Sequence, residues 1–238
     1  MPTHQPLSYF YCMKKSVIFY VVLFCITLFS IFFIDRNLAD FLYQQNFANA
    51  FTSSFTSSFT KLLSNTPVLL EVLAGAVLLS CAIPKMRKRF SLLAMHLAMT
   101  LAIASLVRLG AKALFGRTWP QTWVDNNPSW ISDRLEGFHP FAEGLAYNSF
   151  PSGHALFTFA LASVFWYHFP RFCSLWVAAM LGVFIGQLAQ NFHYLGDLLG
   201  GSVIGILCAH LVIGLSLSVQ QGVFKENSGN TKVAKSDT

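Results

Sequence analysis

Residues Ser16–Ile34 form a run of 19 residues without a single charge, set between Lys14-Lys15 and Asp35-Arg36. At about 1.5 Å per residue a helix of that length spans ~28 Å, enough to cross the hydrocarbon core of a bilayer. Five further apolar runs follow, at about Pro67–Ile83, Phe90–Val107, Gly153–Phe169, Phe172–Gln190 and Leu198–Val219. Only 11% of the 238 residues are charged and 54% are hydrophobic, whereas a soluble domain carries about a quarter charged residues. In lipid every backbone polar group must be satisfied within the chain, so apolar runs of this length are read as helices. The expected fold is an all-α polytopic membrane protein, a six-transmembrane-helix bundle with an interfacial helix and a long outer loop. One domain is expected over residues 1–219, with a polar, disordered cytoplasmic tail over 220–238. Ala48-Asn49-Ala50 resembles a signal-peptide cleavage site but lies well beyond the first apolar run, so no cleavage is expected.

The net charge of +6 is read as topology rather than nucleic-acid binding, because no basic run is interleaved with exposed aromatics. Positive residues mark cytoplasmic ends. Lys14-Lys15 place the N-terminus inside; Lys85, Arg87, Lys88 and Arg89 place the link between the second and third runs inside. Arg171 does the same for the turn between the fourth and fifth, and Lys225, Lys232 and Lys235 for the C-terminus. Six crossings with both ends inside are self-consistent. Two outer loops result. The first contains Phe51, Phe55 and Phe59 in a repeat with Thr and Ser, a spacing that lines one helical face with rings and suits either an interfacial helix or a low-complexity loop. The second, Gly116–Phe150, carries Trp119, Trp123 and Trp130, which suit the headgroup level. The five cysteines include no CxxC pair and none in the long polar loops, which argues against a disulfide framework or a thiolate zinc site.

Three polar fragments emerge on the same outer face. His193 and Asp197 are four apart and share a helix face; the carboxylate can fix the imidazole tautomer so that the other nitrogen acts as nucleophile or base. Phe150-Pro151-Ser152-Gly153-His154 opens an apolar helix, where free backbone N–H groups bind anions and His154 can protonate a leaving alkoxide. Lys112 and Arg117 follow an apolar helix and can clamp phosphate oxygens, although cations at a membrane edge also simply snorkel. Taken singly, each fragment is as well explained by a helix cap or an edge cation. Their shared sidedness favours phosphate-ester chemistry on a lipid.

With these residues the chain resembles the type 2 phosphatidic acid phosphatase superfamily, which includes lipid phosphate phosphatases and vanadium haloperoxidases. The family pattern is Lys-x6-Arg-Pro, then Pro-Ser-Gly-His, then Ser-Arg-x5-His-x3-Asp; the resemblance covers a motif core over residues 111–201. It implies that His193 attacks phosphorus and forms a phosphohistidine, that Asp197 orients it, and that His154 protonates the leaving lipid oxygen. It implies further that Lys112 and the Ser152 and Gly153 groups hold the phosphate, and that no metal or other cofactor is needed. Two positions depart from the pattern: Trp119 stands where the family has Arg, and Gly186-Gln187 where it has Ser-Arg. Arg117 is the expected substitute for the first and Gln187 an uncharged donor at the second, with Arg134 as a further candidate.

The expected activity is hydrolysis of a terminal phosphate monoester or pyrophosphate of a lipid at the outer face of a bacterial inner membrane. Candidate substrates are undecaprenyl pyrophosphate, phosphatidylglycerol phosphate, phosphatidic acid and lipid A. The alternatives are a lipid-to-lipid phosphotransferase using the same intermediate, and a catalytically weakened lipid-binding member; a haloperoxidase is disfavoured because those proteins are soluble. The partners implied are the lipid phosphate and membrane lipids, with no nucleic acid. Glu71 within the second run is a candidate intramembrane functional residue. His96 and His210 read as packing residues, His139 has no spaced partner, and Arg108 reads as an interface anchor or a partner of the site.

Overall fold

The first apolar run becomes helix α1, Ser16–Phe29, but the helix does not stop where the hydrophobicity does. A π-helical turn at Ser30–Ile34 leads directly into α2, Asp35–Gln44. Such single turns rotate the residues that follow them, and here Asp35 faces inward, 1% exposed. The computed structural model describes residues 16–45, 60, 62–123 and 126–236, with side chains for 17–221 of that set. The Phe51–Phe59 repeat, expected as an interfacial helix, lies outside the described residues.

Helix α3 spans Thr66–Ser80 and begins with Pro67 in its first turn, where the missing N–H costs nothing. Helix α4 runs unbroken over Pro84–Phe115, 32 residues, rather than over the shorter apolar stretch alone. The extension has a physical cause: Lys and Arg are good helix formers, Pro84 opens the helix and Gly116, in the left-handed conformation, closes it. The basic cluster at 85–89 therefore lies on the first turns of α4 and Lys112 on its last. A short helix α5, Trp130–Asp133, and a 3₁₀ turn, Leu145–Tyr147, punctuate the loop. Helices α6, Gly153–His168, and α7, Cys173–Ala189, are joined by a 3₁₀ turn at Pro170–Phe172. Helix α8, Leu195–Ser236, continues into the stretch expected as a polar tail.

Among the described residues all regular structure is helical, with two isolated bridges in the loop after α4, Arg117 to Phe138 and Trp119 to Ser129. Four segments are long and apolar enough to cross a membrane: Val17–Gln44, Pro84–Phe115, Pro170–Ala189 and Leu195–Gln221. Helices α3 and α6 are shorter, at 15 and 16 residues. Helix α6 is the centre of the bundle, packed against α3, α4, α7 and α8. Its Leu161, Val164 and Phe165 join Leu70 and Ala74 of α3, Leu93 and Leu97 of α4 and Trp176 of α7 in one core, where Phe165 and Trp176 stack at 5.2 Å. The outward positions remain apolar: Ile18 is 73% and Leu79 78% exposed, the pattern of a surface solvated by lipid.

Lipid supplies no hydrophobic drive between helices, so close approach depends on small residues. Gly201 and Gly205, four apart on α8, meet the backbone of α6: a Cβ at the first would overlap the Ser152 carbonyl oxygen and at the second that of Leu156. This contact sets the start of α8 against the start of α6.

Candidate active site

The same contact brings the three polar fragments together. The Ser152 N–H donates to the Asp197 carbonyl at 3.1 Å, tying the opening turn of α6 to that of α8. The Ser152 hydroxyl caps α6 by accepting from the Ala155 N–H. From the last turn of α4, the Lys112 ammonium donates to the Asn148 carbonyl just ahead of α6. The site therefore lies where α4 ends and where α6 and α8 begin; the basic residues 85–89 stand at the opposite end of α4, and Arg171 in the turn that follows the far end of α6.

His193, 3% exposed, sits in the link between α7 and α8. Its Nδ1 is 3.5 Å from Oδ2 of Asp197. That carboxylate oxygen also accepts from the Ser149 hydroxyl at 2.6 Å and from the Tyr194 N–H at 3.1 Å. A carboxylate facing Nδ1 favours the proton there and leaves the Nε2 lone pair available. Burial lowers the His193 pKa below that of a free imidazole, against the opposing pull of Asp197, so the ring is neutral at neutral pH. The His154 ring, on the first turn of α6, lies with its centroid 6.2 Å from that of His193.

Asp197 is anchored from behind. Arg117 is completely buried, and its Nη1 contacts Oδ1 of Asp197 at 2.7 Å and Oδ2 of Asp35 at 2.8 Å, while Nη2 contacts Glu136 at 2.8 Å. Burial alone would lower its pKa, but Asp197, Asp35 and Glu136 outweigh it and raise the value further. The guanidinium also lies over the Tyr194 ring, 4.2 Å from its centroid. Asp35 accepts from the Ser30 hydroxyl at 2.7 Å and the Gly196 N–H at 2.9 Å, which ties the π turn after α1 to the start of α8.

In front of His193 opens a cavity of about 250 Å³ lined by Glu71, Arg108, Lys112, Trp119, Gly153, His154 and His193, among others. Trp119 fills the position where the family pattern has Arg. Its ring lies 5.0 Å from that of His193 and 5.8 Å from the Lys112 ammonium, and its Nε1–H donates to the Leu145 carbonyl at 2.8 Å. It thus walls the cavity.

Of the residues predicted from sequence, the structure gathers His193, Asp197, His154, Lys112, Ser152 and Gly153. It sets Arg117 behind Asp197, outside the cavity. Gln187 lies elsewhere, buried against the chain before α3, where its amide donates to the Ser64 hydroxyl at 2.6 Å; a Cβ at neighbouring Gly186 would overlap the Ser64 backbone. Arg134 is 61% exposed and pairs with Asp40. Glu71 lines the cavity. Sequence reasoning assigned no site role to Asp35, Ser149 or Glu136. Asp35 carried a signal, a carboxylate directly after an uncharged run, and Ser149 directly precedes the Phe150–His154 fragment; nothing local marked Glu136. Among the described residues no group of three or more His, Cys, Asp or Glu side chains is arranged to hold a metal.

A family model described as the PAP2 superfamily matches residues 93–218, just over half of the chain. The chain belongs to the PAP2 superfamily. Members generally act as phosphatases on phosphate esters, and the apolar helices fit the membrane branch of the superfamily. No curated protein and no solved structure gives a significant match to this chain. The matched span takes in α4 from Leu93, the loop, α6, α7 and α8 to Ser218, and so every residue lining the cavity except those contributed by α3.

Proposed function

We propose that this superfamily member is a membrane lipid phosphatase that releases a terminal phosphate through a phosphohistidine on His193. The observation that carries the reading is one cavity in which a buried His193, backed by Asp197, faces His154 and the Lys112 ammonium. The His193 Nε2 lone pair forms the N–P bond while the P–O bond to the lipid breaks. The departing oxygen takes a proton from His154, and Asp197 balances the imidazolium charge that develops. Lys112 and the first-turn N–H groups of α6 hold the non-bridging oxygens. Water then attacks the phosphohistidine, His154 accepts its proton, and inorganic phosphate leaves.

The six apolar helices of the sequence reading cross the membrane in this account. The charge pattern, with basic residues at 85–89 and 171 away from the site, favours an active site on the outer face of an inner membrane with both termini cytoplasmic. Phosphate release from a panel of lipid phosphates in detergent tests the proposal. Wild-type protein releases phosphate from at least one lipid and His193→Ala releases none; no release from any lipid, or equal release by the variant, overturns it.

A further inference from the structure

Arg108 stands one turn before Lys112 on α4, so the two cations share a helix face. Both line the cavity in front of His193. Among the described residues neither makes a salt bridge, although Glu71 lines the same cavity and three other carboxylates crowd around Arg117 nearby. The Arg108 Nε is buried and without a hydrogen-bond partner. A buried guanidinium N–H left unpaired is costly, and costlier at a membrane-embedded helix. Two like charges one turn apart repel in addition, and an anion bridging them would relieve both costs.

The position of Arg108 is built in rather than incidental. Its guanidinium lies against the opening turn of α6, where a Cβ on Gly153 would come within 2.8 Å of Nε and 3.3 Å of Cζ. Its guanidinium carbon lies 5.7 Å from the centre of the Phe157 ring, one turn further along α6. Gly153 and Phe157 thus form a slot that holds the guanidinium beside His154. An arginine snorkelling to the membrane surface would instead point away from the bundle.

We propose that Arg108 binds the substrate phosphoryl group directly and, with Lys112, forms the cationic cradle that Trp119 and Gln187 cannot supply. The inference takes from the phosphatase reading that the cavity holds a phosphoryl group. Arg108 presents planar donors to two oxygens, which Lys112 as a point charge does not. The family positions at 119 and 187 are then free for other tasks: the Trp119 ring lies tilted against His193, 5.0 Å between centroids, and Gln187 secures the chain before α3.

The test uses detergent-purified full-length protein and two probes that need no turnover, inorganic phosphate and orthovanadate, with affinity read from ligand-dependent thermal stabilisation. Arg108→Ala weakens both by roughly 10- to 150-fold, the range for losing a charge-assisted hydrogen bond, and raises KM by a similar factor where a lipid phosphate is hydrolysed. Arg108→Lys recovers part of the loss and Arg108→Gln little of it; these two variants decide the matter if Arg108→Ala does not fold. Probe affinity and KM within twofold of wild type, with or without a lowered melting temperature, assign Arg108 a structural role and overturn the proposal. The two readings separate cleanly. Arg108-dependent phosphate binding without hydrolysis of any lipid defeats the phosphatase reading alone. Hydrolysis abolished by His193→Ala but indifferent to Arg108 defeats this one alone.

Discussion

Replacing Arg117 with alanine separates two roles that the residue could play. In the structure it is 0% exposed and makes three ion pairs of 2.7–2.8 Å, to Asp35, Asp197 and Glu136, whose side chains are 0–4% exposed. Deleting one partner of a buried ion pair leaves uncompensated charge and costs about 3–5 kcal/mol. At about 2–4 °C per kcal/mol for a chain of this length, the melting temperature falls by roughly 6–20 °C. Glu136 retains Arg36 at 2.7 Å, so the loss concentrates on Asp35 and Asp197. Adding Asp35→Asn to Arg117→Ala removes one of the two stranded charges and recovers part of the stability, so the double variant is less damaged than additivity requires. Activity falls mainly through kcat, because Asp197 loses its anchor while the phosphate cradle is untouched. Thermal unfolding in detergent beside steady-state kinetics reads both effects, with Arg134→Ala, an exposed pair to Asp40, as the near-silent control. An Arg117→Ala protein that melts within 2 °C of wild type and is impaired only in KM refutes the reasoning and returns Arg117 to the phosphate.

Further expectations follow from the site and its packing. Because burial depresses the His193 pKa, the nucleophile stays neutral to lower pH than a free imidazole and is lost only as pH falls through that depressed value. The acid limb of kcat/KM governed by His193 therefore lies below about 6.5; an acid limb above that value contradicts the assignment. His154→Ala removes the proton donor and lowers kcat by about 10²–10⁴-fold, with KM little changed; the effect shrinks on a substrate with an acidic leaving group such as an aryl phosphate, and an equal loss on both substrates argues against a general acid. Gly205→Leu drives a side chain into the Leu156 carbonyl and, by separating α8 from α6, costs about 1–3 kcal/mol or more, with loss of activity; unchanged thermal stability shows that the helices do not approach as closely as described.

Much of the candidate site was legible because its residues stand at fixed spacings. The His193–Asp197 pair, the Ser152-Gly153-His154 helix start and Lys112 each declared a local geometry, and α6 and α8 bring those geometries together. The all-helical character followed from uncharged runs too long for anything else. The boundaries were less legible, since hydropathy reports where a chain is apolar rather than where it is helical: α4 gains its ends from Lys and Arg residues that are good helix formers but poor lipid contacts. The charged residues around Asp197 were least legible. Asp35, Arg117 and Glu136 are far apart in sequence and meet only because a π turn rotates Asp35 inward and the loop after α4 folds back. Its place after α4 and the family resemblance suggested that Arg117 would serve the phosphate; three carboxylates, one of them Asp197 itself, hold it behind that residue instead. Arg108 gave the opposite difficulty: an arginine near a helix end resembles an ordinary membrane-edge cation until Gly153 is seen to make room for it.

The central claim, that His193 carries the phosphoryl group, is tested most directly by trapping it. Protein mixed with a lipid bearing a radiolabelled terminal phosphate and quenched in base during turnover should carry label that is stable to base and labile to acid, mapped to the peptide containing His193. The His193→Ala protein should carry none. An enzyme that hydrolyses the lipid without acquiring label, or that keeps its label when His193 is replaced, contradicts the account.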